Sequence, residues 1–316
     1  YKSYVIDIRV GQDDKTKYIE LTSDTANAIV MNDYSRMIMN KKLENKGFVQ
    51  VYSPVIQGKK KDEQYISWEC VIIQTNKTIK NTIYSKEIEE EIFDDIDNFM
   101  SRESQTEYGD LGIPYNRGYL VESPPGYGKT SIAKIVANKY GIPIFSLDLT
   151  IIDDNNTLRK LMTEMNCYVN HQKHILLMED VDRSNFFSKY SRNPNITMDA
   201  LLNAIDGVVE THGRLTFMFV NNSEPITNCK ALVRPGRIDT HIVIDSCDKD
   251  QIQRMCKLFI RDSTSVDEIE WGSWTINEGL APAYVIGLLR KYRDNIGMFL
   301  KLIASKANEA DSALDD

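Results

Sequence analysis

The sequence predicts an α/β fold: a parallel sheet with helices on both faces, a β-rich region before it and a helical lid after it. Three observations predict this. Between about residues 113 and 247, apolar runs alternate with stretches of helical periodicity. The runs are apolar at successive positions, as strands buried on both faces must be. A glycine-rich loop, "ESPPGYGKT" at Glu122 to Thr130, falls between the first run and the first helix, the context a phosphate-binding loop requires. At 316 residues, 42% apolar and 27% charged, the chain has the length of about two domains and an ordinary globular composition.

The elements follow in order. "YVIDIRV" places Tyr4, Ile6 and Ile8 on one face at period two, a strand signal. "KGFVQVYSPVI" and "YISWECVIIQ" also read as strands, and the apolar stretch Ala26 to Met39 as a helix packed on them. From Lys86 the period lengthens: Ile88, Ile92, Phe93, Ile96 and Phe99 recur at helical spacing. The acids of "EIEEEIFDDIDNF" are then one solvated face of a packed helix. "RGYLVE" is a strand, "KTSIAKIVANKY" a helix, "PIFSLDL" a strand, and "NTLRKLMTEM" a helix with Leu158, Leu161, Met162 and Met165 on one face. "HILLMED" is a strand ending in acids, "TMDALLNAIDG" a helix stopped by Gly207, and "LTFMFVN" and "HIVIDS" further strands. From Asp248, an N-cap residue, the pattern is helical to the end: "DKDQIQRMCKLFI", "APAYVIGLLRKY", "NIGMFLKLIASKA". The expected units are 1–85 (β-rich), 86–247 (nucleotide-binding α/β) and 248–316 (helical lid).

Charge and cysteine usage narrow the function classes. A net charge of −8 supplies no overall field to draw the chain to nucleic acid or an anionic membrane. The five cysteines are scattered and never spaced C-x-x-C, which argues for a reducing, intracellular compartment without a disulfide framework or zinc ribbon. No stretch reaches the ~20 apolar residues of a membrane helix. The chain opens at Tyr1 without a methionine, so an anchor upstream is compatible with it.

Four motifs carry chemistry. The loop spans Ser123, Pro124, Pro125, Gly126, Tyr127, Gly128, Lys129, Thr130 and Ser131 and departs from G-x-x-x-x-G-K-[ST] only at Ser123. Such a loop aims backbone N–H groups at phosphates from a helix N-terminus. Lys129 is the residue to reach the β- and γ-phosphates, and the Thr130 hydroxyl to ligate Mg²⁺. The loop string alone also fits a Gly/Pro turn before a lysine-bearing helix. The second motif, "ILLMEDVD", ends a strand in Glu179, Asp180 and Asp182. Glu179 takes the metal side and Asp180 polarises water. Third, "FMFVNN" offers Asn221, or Asn222 one residue later, to the attacking water or the γ-phosphate. Fourth, "ALVRPGRID" exposes Arg234 and Arg237 on a tight turn, suited to stabilising transferring phosphoryl charge on a neighbouring molecule.

With these in hand, residues from about Ile113 to Ile260 resemble the module of the AAA family of ATPases. Loop, acid pair, sensor asparagine, "LLNAIDG" and "RPGRID" stand in the family's order. The reversed Glu-Asp order of "LLMEDVD", "GIPYNRGYLVESPPGYGKTS" and "LLNAIDGVVETHGRLTFMFVNN" resemble its BCS-type branch, the mitochondrial chaperones that deliver the Rieske iron–sulfur protein. The resemblance implies Mg²⁺-dependent ATP hydrolysis in a homo-oligomeric ring, heptameric in that branch, at the mitochondrial inner membrane, with an anchor ahead of the β-rich region. It also implies remodelling or translocation of a protein client. After the second strand of the module, "SLDLTIIDDNNTLRK" has no aromatic-glycine pair to grip a threaded chain, so a folded client is expected. Paired aromatics at Phe186 and Phe187 are the other candidate grip. There is no H-E-x-x-H, which sets aside the membrane AAA proteases.

Competing readings are an ATP-driven nucleic-acid machine, a nucleotide-dependent scaffold without turnover, and a small-molecule kinase. His171 and His174 lack further ligands at metal-binding spacing. Trp68, Trp271 and Trp274 read as packing residues.

Overall fold

The computed structural model describes residues 6–12, 17–23, 47–58, 65–152, 154–169, 172–184, 197–206, 212–260, 266, 269, 271 and 279–305. The helix expected at Ala26 to Met39, together with Gly207, Phe186, Phe187, His171 and Trp274, lies outside these residues. Strands β1 (Asp7–Gln12) and β2 (Lys17–Thr22) form an antiparallel hairpin of their own. The remaining strands make one seven-stranded sheet in the order β4-β3-β6-β7-β8-β5-β9. They are β3 (Phe48–Gln57), β4 (Tyr65–Gln74), β5 (Asn116–Glu122), β6 (Ile144–Ser146), β7 (His174–Met178), β8 (Arg214–Val220) and β9 (Thr240–Val243). All neighbours pair in parallel except β3 and β4.

One feature differs from the sequence expectation. β3 and β4 fall in the stretch read as a separate β-rich unit, yet β3 pairs in parallel with β6 through Val51↔Ile144 and Tyr52↔Phe145. Tyr52 stacks on Phe145 at 4.5 Å, and the Trp68 indole donates to Leu161 O at 2.8 Å. These contacts join residues far apart in sequence, so strand periodicity within 48–74 could not reveal them.

Helices cover both faces. Lys86–Ile88, Glu89–Asp94 and Asp95–Met100 run on as one helix, α1, whose middle is π-helical. It lies with α3 (Lys129–Tyr140) on one face, against Tyr119, Val121, Leu177, Phe217 and Phe219. Helices α4 (Asn155–Val169) and α5 (Met198–Ile205) cover the other, against Leu120, Leu176, Met178, Met218 and Val220. Successive residues of β5, β7 and β8 thus point to opposite cores, which is why these strands are apolar throughout. Helix α2 (Arg102–Leu111) buries no residue and the sequence reading missed it. A third core joins α7 (Lys249–Phe259), α8 (Pro282–Lys291) and α9 (Ile296–Ser305). Asp248 closes a capping box with Gln251 at the start of α7. Among the described residues no helix is long and apolar enough to cross a membrane.

Candidate functional site

The chemistry-bearing residues sit where β5, β7 and β8 end, at one rim of the sheet, the position of ligand sites in parallel α/β folds. Parallel register sets this up: Glu122 of β5 lies opposite Val220 of β8, and Met178 of β7 opposite Met218. The loop after β5 turns directly into α3. Gly126 (φ 85°) and Gly128 (φ 97°) adopt the left-handed backbone that side chains resist. A Cβ on Gly128 would come within 3.2 Å of the Tyr84 hydroxyl, which itself donates to Gly128 O at 2.9 Å. Ser123 is fully buried, and its N–H donates to Val220 O at 3.1 Å.

Lys129 folds back over this loop. Its Nζ donates to Ser123 O, to Ser123 Oγ and Pro124 O at 3.2 Å each, and to Asn221 Oδ1 at 3.1 Å. Burial pushes its ammonium below the ordinary value, against the pull of Asp180, Asp182 and Glu179. The Thr130 hydroxyl donates to Glu179 Oε1. Asn221 Nδ2 donates to Asp180 Oδ1 at 3.1 Å. Asp180 itself is the sole non-glycine residue with positive φ among the described residues, at 48°. Such strain, of order 1 kcal/mol or more, persists where the surroundings enforce it, commonly at functional sites. Asn222 instead caps the next turn, accepting from Glu224 N at 2.9 Å. The geometry therefore selects Asn221 over Asn222 as the residue facing Lys129 and Asp180.

These groups open on a cavity of about 620 Å³, within the usual range for small-molecule sites. One half is polar: the loop, Glu179, Asp180, Arg183 and Asn221. The other half is largely apolar, formed by Ile83, Tyr84, Met255, Pro282, Ala283 and Ile286. Ala283 N also donates to Gly126 O at 3.2 Å, joining the lid to the loop.

A family model, the ATPase family associated with various cellular activities (AAA), matches residues 119–246. The chain belongs to the AAA family of ATPases through this domain. A mitochondrial chaperone BCS1 from Danio rerio is 32% identical over 243 residues, 72% of this chain and 55% of the relative. An AAA-ATPase from Arabidopsis thaliana is 29% identical over 221 residues, 66% of this chain and 47% of its own length. The chain spans about half the length of the curated relatives it matches. The resemblance to BCS-type AAA proteins read from the motifs is thus matched by similarity over 72% and 68% of this chain to two relatives of that name.

In this AAA domain the residues present fit a nucleotide with Mg²⁺. The positive-φ glycines leave room for phosphate, Lys129 supplies a cation, and Thr130 beside Glu179 offers the hard oxygen ligands magnesium takes. The two arginines separate. Arg234 is exposed; its backbone N–H donates to Leu232 O at 3.1 Å, while its guanidinium makes no hydrogen bond to a described residue. Arg237 is drawn inward, its Nε 3.1 Å from Asp206 Oδ2 and its Nη1 donating to Ala231 O at 2.6 Å. Within this chain the turn exposes Arg234 and holds Arg237 against Asp206 and Ala231 O. Gly118 makes this possible, because a Cβ there would fall 1.7 Å from Arg237 O.

The apolar half of the cavity escaped the sequence reading. Its residues come from the segment before α1 and from the lid, with no motif linking them. Of the residues set aside as non-functional, His174 is fully buried and Trp68 packs into the core.

Proposed function

We propose that the chain hydrolyses ATP, with Mg²⁺, at interfaces between copies of itself, and uses the cycle to remodel or translocate a protein client. The observation that carries this is the pair of contact chains meeting in one cavity, Ser123–Lys129–Asn221–Asp180 and Thr130–Glu179. Lys129 exchanges its carbonyl partners for phosphate oxygens, and the loop N–H groups face the same charge. Thr130 and Glu179 hold the metal, which when bound neutralises charge on the β- and γ-phosphates. Asp180 and Asn221 orient the attacking water, with Asp180 as the acceptor of its proton. Arg234 comes from the neighbouring subunit.

The assembly in this reading is a homo-oligomeric ring, a heptamer by likeness to the BCS-type branch, and the setting mitochondrial, as in the name of the Danio rerio relative. Residues upstream of Tyr1 would supply any anchor in the inner membrane. The client is handled folded. After β6, Ile152 is fully buried and Ile151 packs against the core, so neither offers a grip to a threaded chain.

The reading is tested by phosphate release and analogue binding. Lys129→Ala should lose nucleotide binding. Asp180→Asn should bind with near-parent affinity and lose at least about a hundredfold in kcat. Turnover by Asp180→Asn at the parent rate would refute the assignment of the acid pair. Loss of fluorescence from a stable fluorescent domain fused to a client, with ATP and a trap for unfolded chains, would refute folded-state handling.

A further inference from the structure

Directly before the phosphate loop, one carboxylate ties three segments together from behind the site. Glu122 is the last residue of β5. Its Oε1 accepts from the Ser223 backbone N–H at 3.1 Å, and its Oε2 lies 3.2 Å from His241 Nε2. Ser223 is buried, stands two residues beyond Asn221 and occupies the position just before α6 (Glu224–Thr227), which leads into the arginine turn. His241 belongs to β9, four residues past Arg237. The Glu122 backbone takes part as well, its carbonyl accepting from Ile244 N at 2.9 Å. Burial alone would raise the carboxyl, but hydrogen bonds from Ser223 and His241 hold it below its ordinary value, so the acceptor is ionised at neutral pH.

The placement answers a mechanical need. The β5–β8 ladder ends where Ser123 N donates to Val220 O. Beyond it Asn221 N has only a 3.4 Å contact to Asp182 Oδ1. The turn carrying Asn221 is therefore held by side chains: Lys129 reaches the Asn221 amide from the phosphate loop, and the Glu122–Ser223 bond ties the turn's backbone to the end of β5. Glu122 does not line the cavity.

We propose that Glu122 is a positioning residue. It fixes Asn221 relative to the phosphate loop and, through His241, ties the arginine turn to the same strand end, so it sets the rate of hydrolysis and leaves nucleotide affinity alone. This rests on the ATP-hydrolysing reading of the site. Orientation by such second-layer contacts is worth large factors in rate, because displacing a reacting group by about 1 Å can cost on the order of a hundredfold.

The experiment measures steady-state hydrolysis, ATP-analogue affinity and melting temperature on the full chain for Glu122→Ala, Glu122→Asp and Glu122→Gln. Glu122→Ala and Glu122→Asp, the latter charged but one methylene short, should lower kcat roughly tenfold with KM and analogue Kd within about twofold. Glu122→Gln keeps an oxygen for the Ser223 N–H and an amide for His241, and should recover kcat to within about threefold of the parent. Parent kcat in Glu122→Asp, or equal losses in binding and kcat across the series, would overturn the role. A Glu122→Ala protein that does not fold leaves Glu122→Asp against Glu122→Gln as the deciding pair. A parent protein without turnover would overturn the hydrolytic reading itself, and this role with it.

Discussion

Position 123 shows how a single residue can break a motif and keep the site. Serine stands where the pattern asks for glycine, but its backbone is not among the positive-φ residues, so no glycine is demanded there. The cost falls instead on Lys129, whose ammonium is parked partly on the Ser123 hydroxyl at 3.2 Å. A hydrogen bond of this kind contributes about 1 kcal/mol net. Ser123→Gly should therefore tighten ATP-analogue binding by up to about fivefold in calorimetric titration, and an unchanged or weaker affinity would show that the parking contact is without consequence. His174 makes a second residue-scale case. Burial, with the Arg214 charge beside it, lowers its pKa to about 4 from 6.5. The unfolded chain takes up a proton below about pH 6.5 that the folded chain refuses until about pH 4, so stability present at neutral pH falls as pH drops through that window. His174→Gln should flatten the pH dependence of urea midpoints between pH 6.5 and 4.5. Its ring packs edge-on to Phe145, a contact a pattern of isolated histidines could not disclose.

Among the elements, those with a strong local signal were legible. Asp248 and Gln251 form the capping box that opens α7, and Asp248→Ala should destabilise the lid by about 1 kcal/mol, read as a lowered melting temperature. Leu158, Leu161 and Met165 share the buried face of α4 as their spacing requires. Leu161→Ala should cost about 2–5 kcal/mol, since its neighbours cannot close the cavity. α2 was missed because it has no apolar stripe to read, and β2 because its six residues mix charge with apolar side chains. Strand period in β3 and β4 was visible, but a strand's partner is set by register across space, and Val51↔Ile144 joins residues from opposite sides of the expected domain boundary.

For the whole molecule, the proposed function has the exposed Arg234 complete the site of a second copy. Specific activity should rise with protein concentration as copies assemble, and constant specific activity in a demonstrated monomer would sink the idea. Arg234→Ala should bind nucleotide and fail to hydrolyse it, with an unchanged melting temperature. Mixing it with Lys129→Ala should restore part of the activity, through interfaces that pair an intact loop with an intact arginine. Arg237→Ala should lower the melting temperature as well, because it releases Asp206 and Ala231 O within its own subunit. The sequence by itself determined the layered α/β architecture, the glycine loop between β5 and α3, the acids at the end of β7 and the C-terminal helices, because each is written in local periodicity or in a short string of neighbouring residues. Only the tertiary structure decided that Asn221 and not Asn222 faces Lys129, that Arg237 turns inward, that Glu122 spans Ser223 and His241, and that β3 and β4 extend the sheet. Each of those depends on which strand ends lie side by side, and that is fixed by sheet order and the packing of two cores, which bring together residues up to 119 positions apart.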